Sequence, residues 1–451
     1  MMPQILVSIS LVLTVSFLTY VLFILVPYIR HEPETPGDPA DFDWHIFVPC
    51  RDEEVVIGNT IRRQRERFPH AHLWVIDDDS DDATAAIVAE HATADPFVHL
   101  VQRRRPNART GKGDALNSAY ASLNAFLPAD TDRRKVIVVV VDADGEMAEN
   151  ALAAVASDQC FGDPRVGAAQ ITVWMKNRDD RRPYPDRGRI ANWFAAYLIR
   201  MQDIEFRTVI LAMQSLRTRT GTVGLGGNGQ FTRLSVLDEI AEGYDAPWHG
   251  ALLEDYELGL HVILAGHENR QLHSTYVAQE ALPSFRRFIT QRSRWSQGNI
   301  QCVKYLKDII KSKHFDASGV LECSYYLFLP FMQLIGYSVI IALALGVIVL
   351  SIVDPVVRQG IVQNIGAFLL LGSIFGLTPF VTWAVLYKLR CEPRTTWFQA
   401  IGWGIGLWAF VPYIFLSVTR AFGRIVIGKN GWAKTRRNGE THVSGPIAKE
   451  R

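Results

Sequence analysis

Asp142-Ala143-Asp144-Gly145 sets two carboxylates one residue apart. They follow residues 136–141, an apolar run of valines and one isoleucine that suits a strand buried on both faces of a parallel sheet. In open α/β sheets, ligands bind beyond the carboxyl ends of the strands. Two acids this close repel each other, and a divalent cation relieves the repulsion. Mg²⁺ is typically held by one or two carboxylates plus substrate phosphates. The chemistry that fits is an Asp-x-Asp metal site for a nucleotide diphosphate. The same four residues also make a good turn, and the motif alone leaves both readings open.

Other clusters can do chemistry. Asp52-Glu53-Glu54 is predicted to open a helix running to about residue 67, where acids complement the helix dipole. Asp77-Asp78-Asp79-Ser80-Asp81-Asp82 is heavily acidic, and helix capping explains one of these acids, not all. The basic run Arg103-Arg104-Arg105 reads as solvated. Lys112, between Gly111 and Gly113, looks phosphate-facing but lacks the full P-loop spacing. Glu254-Asp255 stands where a helix begins, after a glycine-rich stretch at residues 223–231. It reads either as a charged helix N-terminus or as the seat of a general base. Gln291-Arg292-Ser293-Arg294-Trp295 offers an arginine for phosphate and an indole for a sugar. The alternative is an interfacial Trp with snorkelling Arg.

The elements that must position these groups follow from patterning. Short strands at residues 45–48 (ended by Pro49), 73–76, 98–102 and 136–141 alternate with helices, which predicts a mostly parallel α/β sheet. Residues 166–175 are predicted as a strand at the sheet edge, and 192–217 as an amphipathic helix. The net charge of +1 gives no basis for a nucleic-acid partner. The five cysteines have no metal or disulfide spacing, which fits a reducing compartment.

Apolar stretches at residues 5–29, 325–353, 361–389 and 397–418 are predicted membrane spans. The basic residues beside the first three put residues 33–323 in the cytoplasm. The basic tail, with Arg420, Arg424 and Lys429, prefers the same side, whereas a full last crossing would place it opposite. Either the stretch containing Gly402, Gly404 and Gly406 re-enters, or the charge rule fails. The expected organisation is a membrane helix at 1–31, a linker at 32–43 and a catalytic α/β domain at 44–296. An interfacial helix at 297–322, membrane helices at 323–420 and a basic tail at 421–451 follow.

The order of these motifs, followed by membrane helices, resembles the membrane-integrated inverting family-2 glycosyltransferases, the group of cellulose, hyaluronan and chitin-oligosaccharide synthases. The resemblance implies a GT-A (Rossmann-like) α/β domain plus α-helical transmembrane segments at the plasma (inner) membrane. It implies that Glu53, Asp77 and Asp78 hold the uridine of a UDP-sugar and that Lys112 lies near its phosphates. Asp142 and Asp144 would place Mg²⁺ or Mn²⁺ on the diphosphate, which Gln291 and Arg294 would also contact. Asp255, with Glu254 beside it, would be the base, and Trp295 would stack on the acceptor sugar. Trp432, Thr435 and Arg437 would belong to a cytoplasmic loop that closes over the nucleotide. The sequence departs from the family at Asp79, where glycine is usual, and at Cys50 and Arg51. It has one N-terminal span where several synthases have more. The first reading is a processive polysaccharide synthase that extends and exports a glycan, with accessory export proteins as candidate partners. The second is a single-transfer enzyme that glycosylates a membrane lipid. A non-catalytic scaffold or channel is the third.

Overall fold

The computed structural model describes residues 2–429. Eight strands form one mixed sheet: β1 (Asp43–Cys50), β2 (His72–Asp78), β3 (Val98–Arg103), β4 (Val136–Val140), β5 (Glu146–Met147), β6 (Val166–Met175), β7 (Gln230–Arg233) and β8 (Glu268–Gln279). Their order across the sheet is β3-β2-β1-β4-β7-β6-β8-β5. The first four are parallel neighbours; β7 runs antiparallel to β4 and β6, and β6 pairs in parallel with β8.

Alternation along the strands builds two cores. Ile46 and Val48 of β1, Leu73 and Val75 of β2, and Ile137 and Val139 of β4 pack on one face. Phe47, Trp74, Ile76, Val138 and Val140 pack on the other, against helices Lys112–Phe126 and Leu234–Tyr244. All five residues of β4 are buried, as expected of a strand covered on both sides.

Four expectations change. Residues 166–175 are not an edge strand: β6 lies between β7 and β8, which accounts for its almost continuous burial. Pro49 does not end the first strand, which continues to Cys50. The helix after it begins at Ile57, so Asp52-Glu53-Glu54 occupies the preceding turn. That turn is pinned to the second acidic run, because the N–H groups of Glu53 and Glu54 donate to Thr84 and Asp82. The basic run is not simply solvated either. Arg103 is buried and pairs with Asp78, while Arg104 and Arg105 pair with Asp77 and Asp79. The charge load of one run neutralises that of the other.

The predicted helix over 192–217 runs from Arg189 to Thr220, interrupted by a π-helical segment at Glu205–Ile210. The Q-x-x-R-W residues lie on helix Phe285–Cys302. Four helices are long and apolar enough to cross a membrane: Leu6–Ile29, Ala317–Val353, Ile365–Arg390 and Trp397–Val426. The last is two 14-residue helices, Trp397–Phe410 and Tyr413–Val426, which meet at Pro412. Each is about 21 Å long, short of a ~30 Å hydrocarbon core. Both lie against the α/β domain. Tyr197 donates to the Gly406 carbonyl at 2.8 Å, and Arg424 Nε donates to Gln297 Oε1 at 2.8 Å. A shared core of Ile24, Tyr28, Met201, Phe288, Trp383, Leu407 and Tyr413 ties the long apolar helices to the α/β domain.

Candidate active site

The sheet delivers its acids to one cleft. Its wall includes Glu53, Asp78, Lys112, Asp142, Glu254, Asp255, Gln291, Arg294 and Trp295, from motifs spread over most of the chain. Gln291, Arg294 and Trp295 have the i, i+3, i+4 spacing that puts them on one helix face. Asp142 stands at the end of β4, and Lys112 is the first residue of its helix. Lys112 Nζ lies 2.8 Å from Asp142 Oδ1, 2.9 Å from the Gly227 carbonyl and 3.9 Å from Glu254 Oε1. Burial opposes the ammonium charge, but Asp142 and Glu254 outweigh it and raise the Lys112 pKa.

Glu254 and Asp255 begin helix Glu254–Leu264, where first-turn acids face the positive end of the dipole. The loop before them is clamped by Asn117, whose amide exchanges hydrogen bonds with the Trp248 backbone at 2.8 and 3.1 Å. Burial pushes the Asp255 carboxyl up, to about 7; Glu254 adds to the rise and Lys112 opposes it. A carboxylate with that affinity for a proton near neutral pH is suited to general-base work.

Two expected residues lie outside the cleft wall. Asp77 is fully buried, accepts from the Ser80 N–H and pairs with Arg104 at 3.4 Å. Asp144 is buried, and its Oδ2 accepts from the Glu280 N–H at 3.0 Å. Among the described residues, no group of three or more His, Cys, Asp or Glu side chains is placed to hold a metal. The donor set still suits a divalent cation. Asp142 presents a carboxylate at a spot where Lys112 already finds its cationic charge stabilised, and Mg²⁺ sites of this kind take the remaining ligands from substrate phosphates. Trp432, Thr435 and Arg437 lie outside the described residues.

The departure at Asp79 keeps the backbone that glycine would supply: Asp79 is left-handed, with φ 61°. Asp is among the residues that tolerate this conformation, and Arg105 and Arg109 pair with its carboxylate. Sequence reasoning missed Val173, Phe206 and Gln279, which also wall the cleft. None carries a motif. Phe206, in the π-helical segment, meets Trp295 with ring centroids 6.1 Å apart. The glycine-rich stretch was visible, but its role was not: Gly227, left-handed at φ 71°, lets Asp255 and Lys112 approach the backbone.

Comparison with known proteins agrees with this geometry. The profile of the family described as "Glycosyltransferase like family 2" matches residues 42–298, more than half of the chain. "Probable glycosyltransferase YdaM" of Bacillus subtilis is 25% identical over 296 residues, covering 64% of this chain and 63% of that protein. The "Beta-monoglucosyldiacylglycerol synthase" of Trichormus variabilis is 29% identical over 260 residues, covering 57% of this chain and 48% of the synthase. The match therefore spans about half to two thirds of these relatives. A mannosyltransferase from Pyrobaculum calidifontis, solved with GDP-mannose and Mn²⁺, superposes with a TM-score of 0.51 at 18% identity, covering 91% of this chain and 99% of that one. That likeness shows the fold, a GT-A-like α/β domain with apolar helices long enough to span a membrane. The matching profile and the convergence of its motifs on one cleft lead to the same conclusion: the chain belongs to glycosyltransferase-like family 2.

Proposed function

We propose that the protein transfers a hexose from a UDP-sugar, with inversion, to a lipid acceptor at the membrane. The observation that carries this reading is the placement of Asp255. It lines the cleft holding Lys112, Asp142 and Arg294, and it also lines a second space that reaches Tyr326 of a membrane helix. Donor chemistry and an approach from the membrane side thus meet at one carboxylate.

Asp255 takes the proton of the acceptor hydroxyl while the acceptor oxygen forms its bond to the anomeric carbon. The bond from that carbon to the diphosphate breaks on the opposite side, and UDP leaves with the electron pair. One displacement inverts the centre, so no carboxylate nucleophile is needed. Lys112, Arg294 and Gln291 lie where they can take up charge on the departing diphosphate. Glu53 and Asp78 stand at the nucleoside end, and Trp295 beside the acceptor. Asp142 would hold Mg²⁺ or Mn²⁺ together with the diphosphate; when bound, the ion supplies positive charge to the diphosphate.

The lipid acceptor is favoured by the relatives that bear the diacylglycerol synthase name. A cytoplasmic α/β domain is supported by the basic residues at the end of Tyr413–Val426: Arg420 donates to Thr290, Arg424 donates to Gln297 and the Lys429 carbonyl accepts from Gln297, so all three lie against that domain. A processive polysaccharide synthase is the second reading, favoured by Gln291, Arg294 and Trp295 in the cleft wall. The test is purified protein given UDP-sugars, divalent metal and membrane lipid. A single-sugar lipid is expected; a ladder of lengths would establish the second reading. Asp255→Asn should lower transfer by about 10²–10⁴-fold with UDP binding kept. Undiminished transfer by that variant would refute the mechanism.

A further inference from the structure

Next to the donor cleft lies a larger cavity of about 320 Å³, between the N-terminal helix, the π-helical segment Glu205–Ile210 and the membrane helices. Its size falls within the ~300–1,000 Å³ of ligand pockets. The space that Asp255 lines, about 190 Å³, shares Ile210, Trp295 and Tyr326 with this cavity as common walls. Trp295 also borders the donor cleft, so one indole stands where all three meet.

The wall of the large cavity is mostly aliphatic and aromatic. Among the described residues its only charged side chains are Glu205 and Arg292, and they neutralise each other. Arg292 Nη2 donates to Glu205 Oε2 at 2.6 Å, and the Tyr413 hydroxyl donates to the other carboxylate oxygen. The connecting space has one cation among the described residues, Arg217, which is paired with Glu322 at 3.1 Å. A phosphate entering by this route would be desolvated with no uncommitted cation to meet it, which is costly. A glycan would fare little better. Its many hydroxyls need partners, but the hydroxyls of Ser296 and Ser417 and the amide nitrogen of Asn299 are already spent on backbone carbonyls. Among the described residues the polar groups left on the wall are few, chiefly the Gln333 amide and the Tyr325 hydroxyl; Asn299 Oδ1 and Arg292 Nε have no partner but are themselves buried out of contact with the space. That is a small polar complement in an apolar chamber.

We propose that this cavity seats the acyl portion of an uncharged lipid with a free hydroxyl, of the diacylglycerol type, and rejects lipid phosphates. The inference rests on the transfer reading above. The Gln333 amide on the cavity wall is suited to an ester carbonyl, while the reacting hydroxyl passes Trp295 to reach Asp255.

The test measures binding without sugar transfer. Full-length protein in detergent is given radiolabelled dioleoylglycerol, with a polyprenyl phosphate as competitor. Dioleoylglycerol should be retained and resist displacement. Val209→Trp, which fills the cavity away from the donor cleft, should weaken retention by about tenfold or more with UDP affinity unchanged. Displacement by the polyprenyl phosphate, or full retention by a Val209→Trp protein that still binds UDP, would overturn the proposal. If Val209→Trp does not fold, Gln333→Leu decides: weaker retention supports the site and unchanged retention overturns it. The transfer reading stands or falls separately, on Asp255→Asn.

Discussion

Two glycines with the same backbone conformation offer a controlled test of the site. Gly221 and Gly227 are both left-handed, with φ 65° and 71°. A side chain in that region costs about 1–2 kcal/mol. At Gly221 a Cβ would meet nothing within 4 Å, so Gly221→Ala should show the backbone cost alone. At Gly227 the same carbon would stand 2.5 Å from Asp255 Oδ2 and 3.3 Å from Lys112 Nζ. Carbon–oxygen contacts relax at about 3.3 Å or more, so the Asp255 carboxylate must retreat by roughly 0.8 Å. A displacement near ~1 Å at a reacting group can cost about 10²-fold in rate, or ~2.7 kcal/mol of transition-state stabilisation. Thermal unfolding and metal-dependent transfer, measured on both variants, separate the two terms. Both should lose the backbone term in stability, Gly227→Ala should lose more because of its contact with Asp255, and only Gly227→Ala should lose the additional activity. Equal activity in the two variants would show that Asp255 is not held against Gly227 for a catalytic purpose.

Other outcomes follow from the same geometry. Asp142→Asn should make UDP affinity insensitive to added Mn²⁺, as read by calorimetry with and without a chelator; a persistent metal response would remove Asp142 from the proposed ion site. His72 is half-buried against His45 and His99, and burial lowers its pKa to about 4. Because the folded value lies below the unfolded ~6.5, its stabilisation is complete above about pH 6.5 and is lost as pH falls toward 4. The unfolding temperature should drop over that window, and His72→Gln should flatten the slope. The buried pair Arg217–Glu322 joins the catalytic domain to helix Ala317–Val353. Arg217→Met should cost about 3–5 kcal/mol by stranding Glu322, and Arg217→Met with Glu322→Met should recover much of it in denaturant unfolding.

Local chemistry was legible in the chain. The β-branched run at residues 136–141 reads as a buried strand, which it is over Val136–Val140, whereas Asp142-Ala143-Asp144-Gly145 by itself leaves a metal site and a plain turn both open. The apolar runs had to be long helices, because their backbone groups must be satisfied without water. The ordered motifs pointed to the family, which the matching profile then supported. What the sequence could not supply was the set of partners chosen across hundreds of residues. Nothing in the Arg103-Arg104-Arg105 run says that it neutralises the acidic run, since ion pairs depend on which strands become neighbours. Asp77 and Asp144 look equivalent to Asp78 and Asp142, but the pleat and the turn direct them away from the cleft. The break at Pro412 was visible as a residue, whereas the return of Tyr413–Val426 to Gln297 required the packed helix pair. Phe206 and Trp295 line both the cleft and the space that reaches Tyr326, a meeting of three separate helices that no local spacing announces. Periodicity and local spacing write the elements into the sequence, but long-range packing decides which of their side chains share a space.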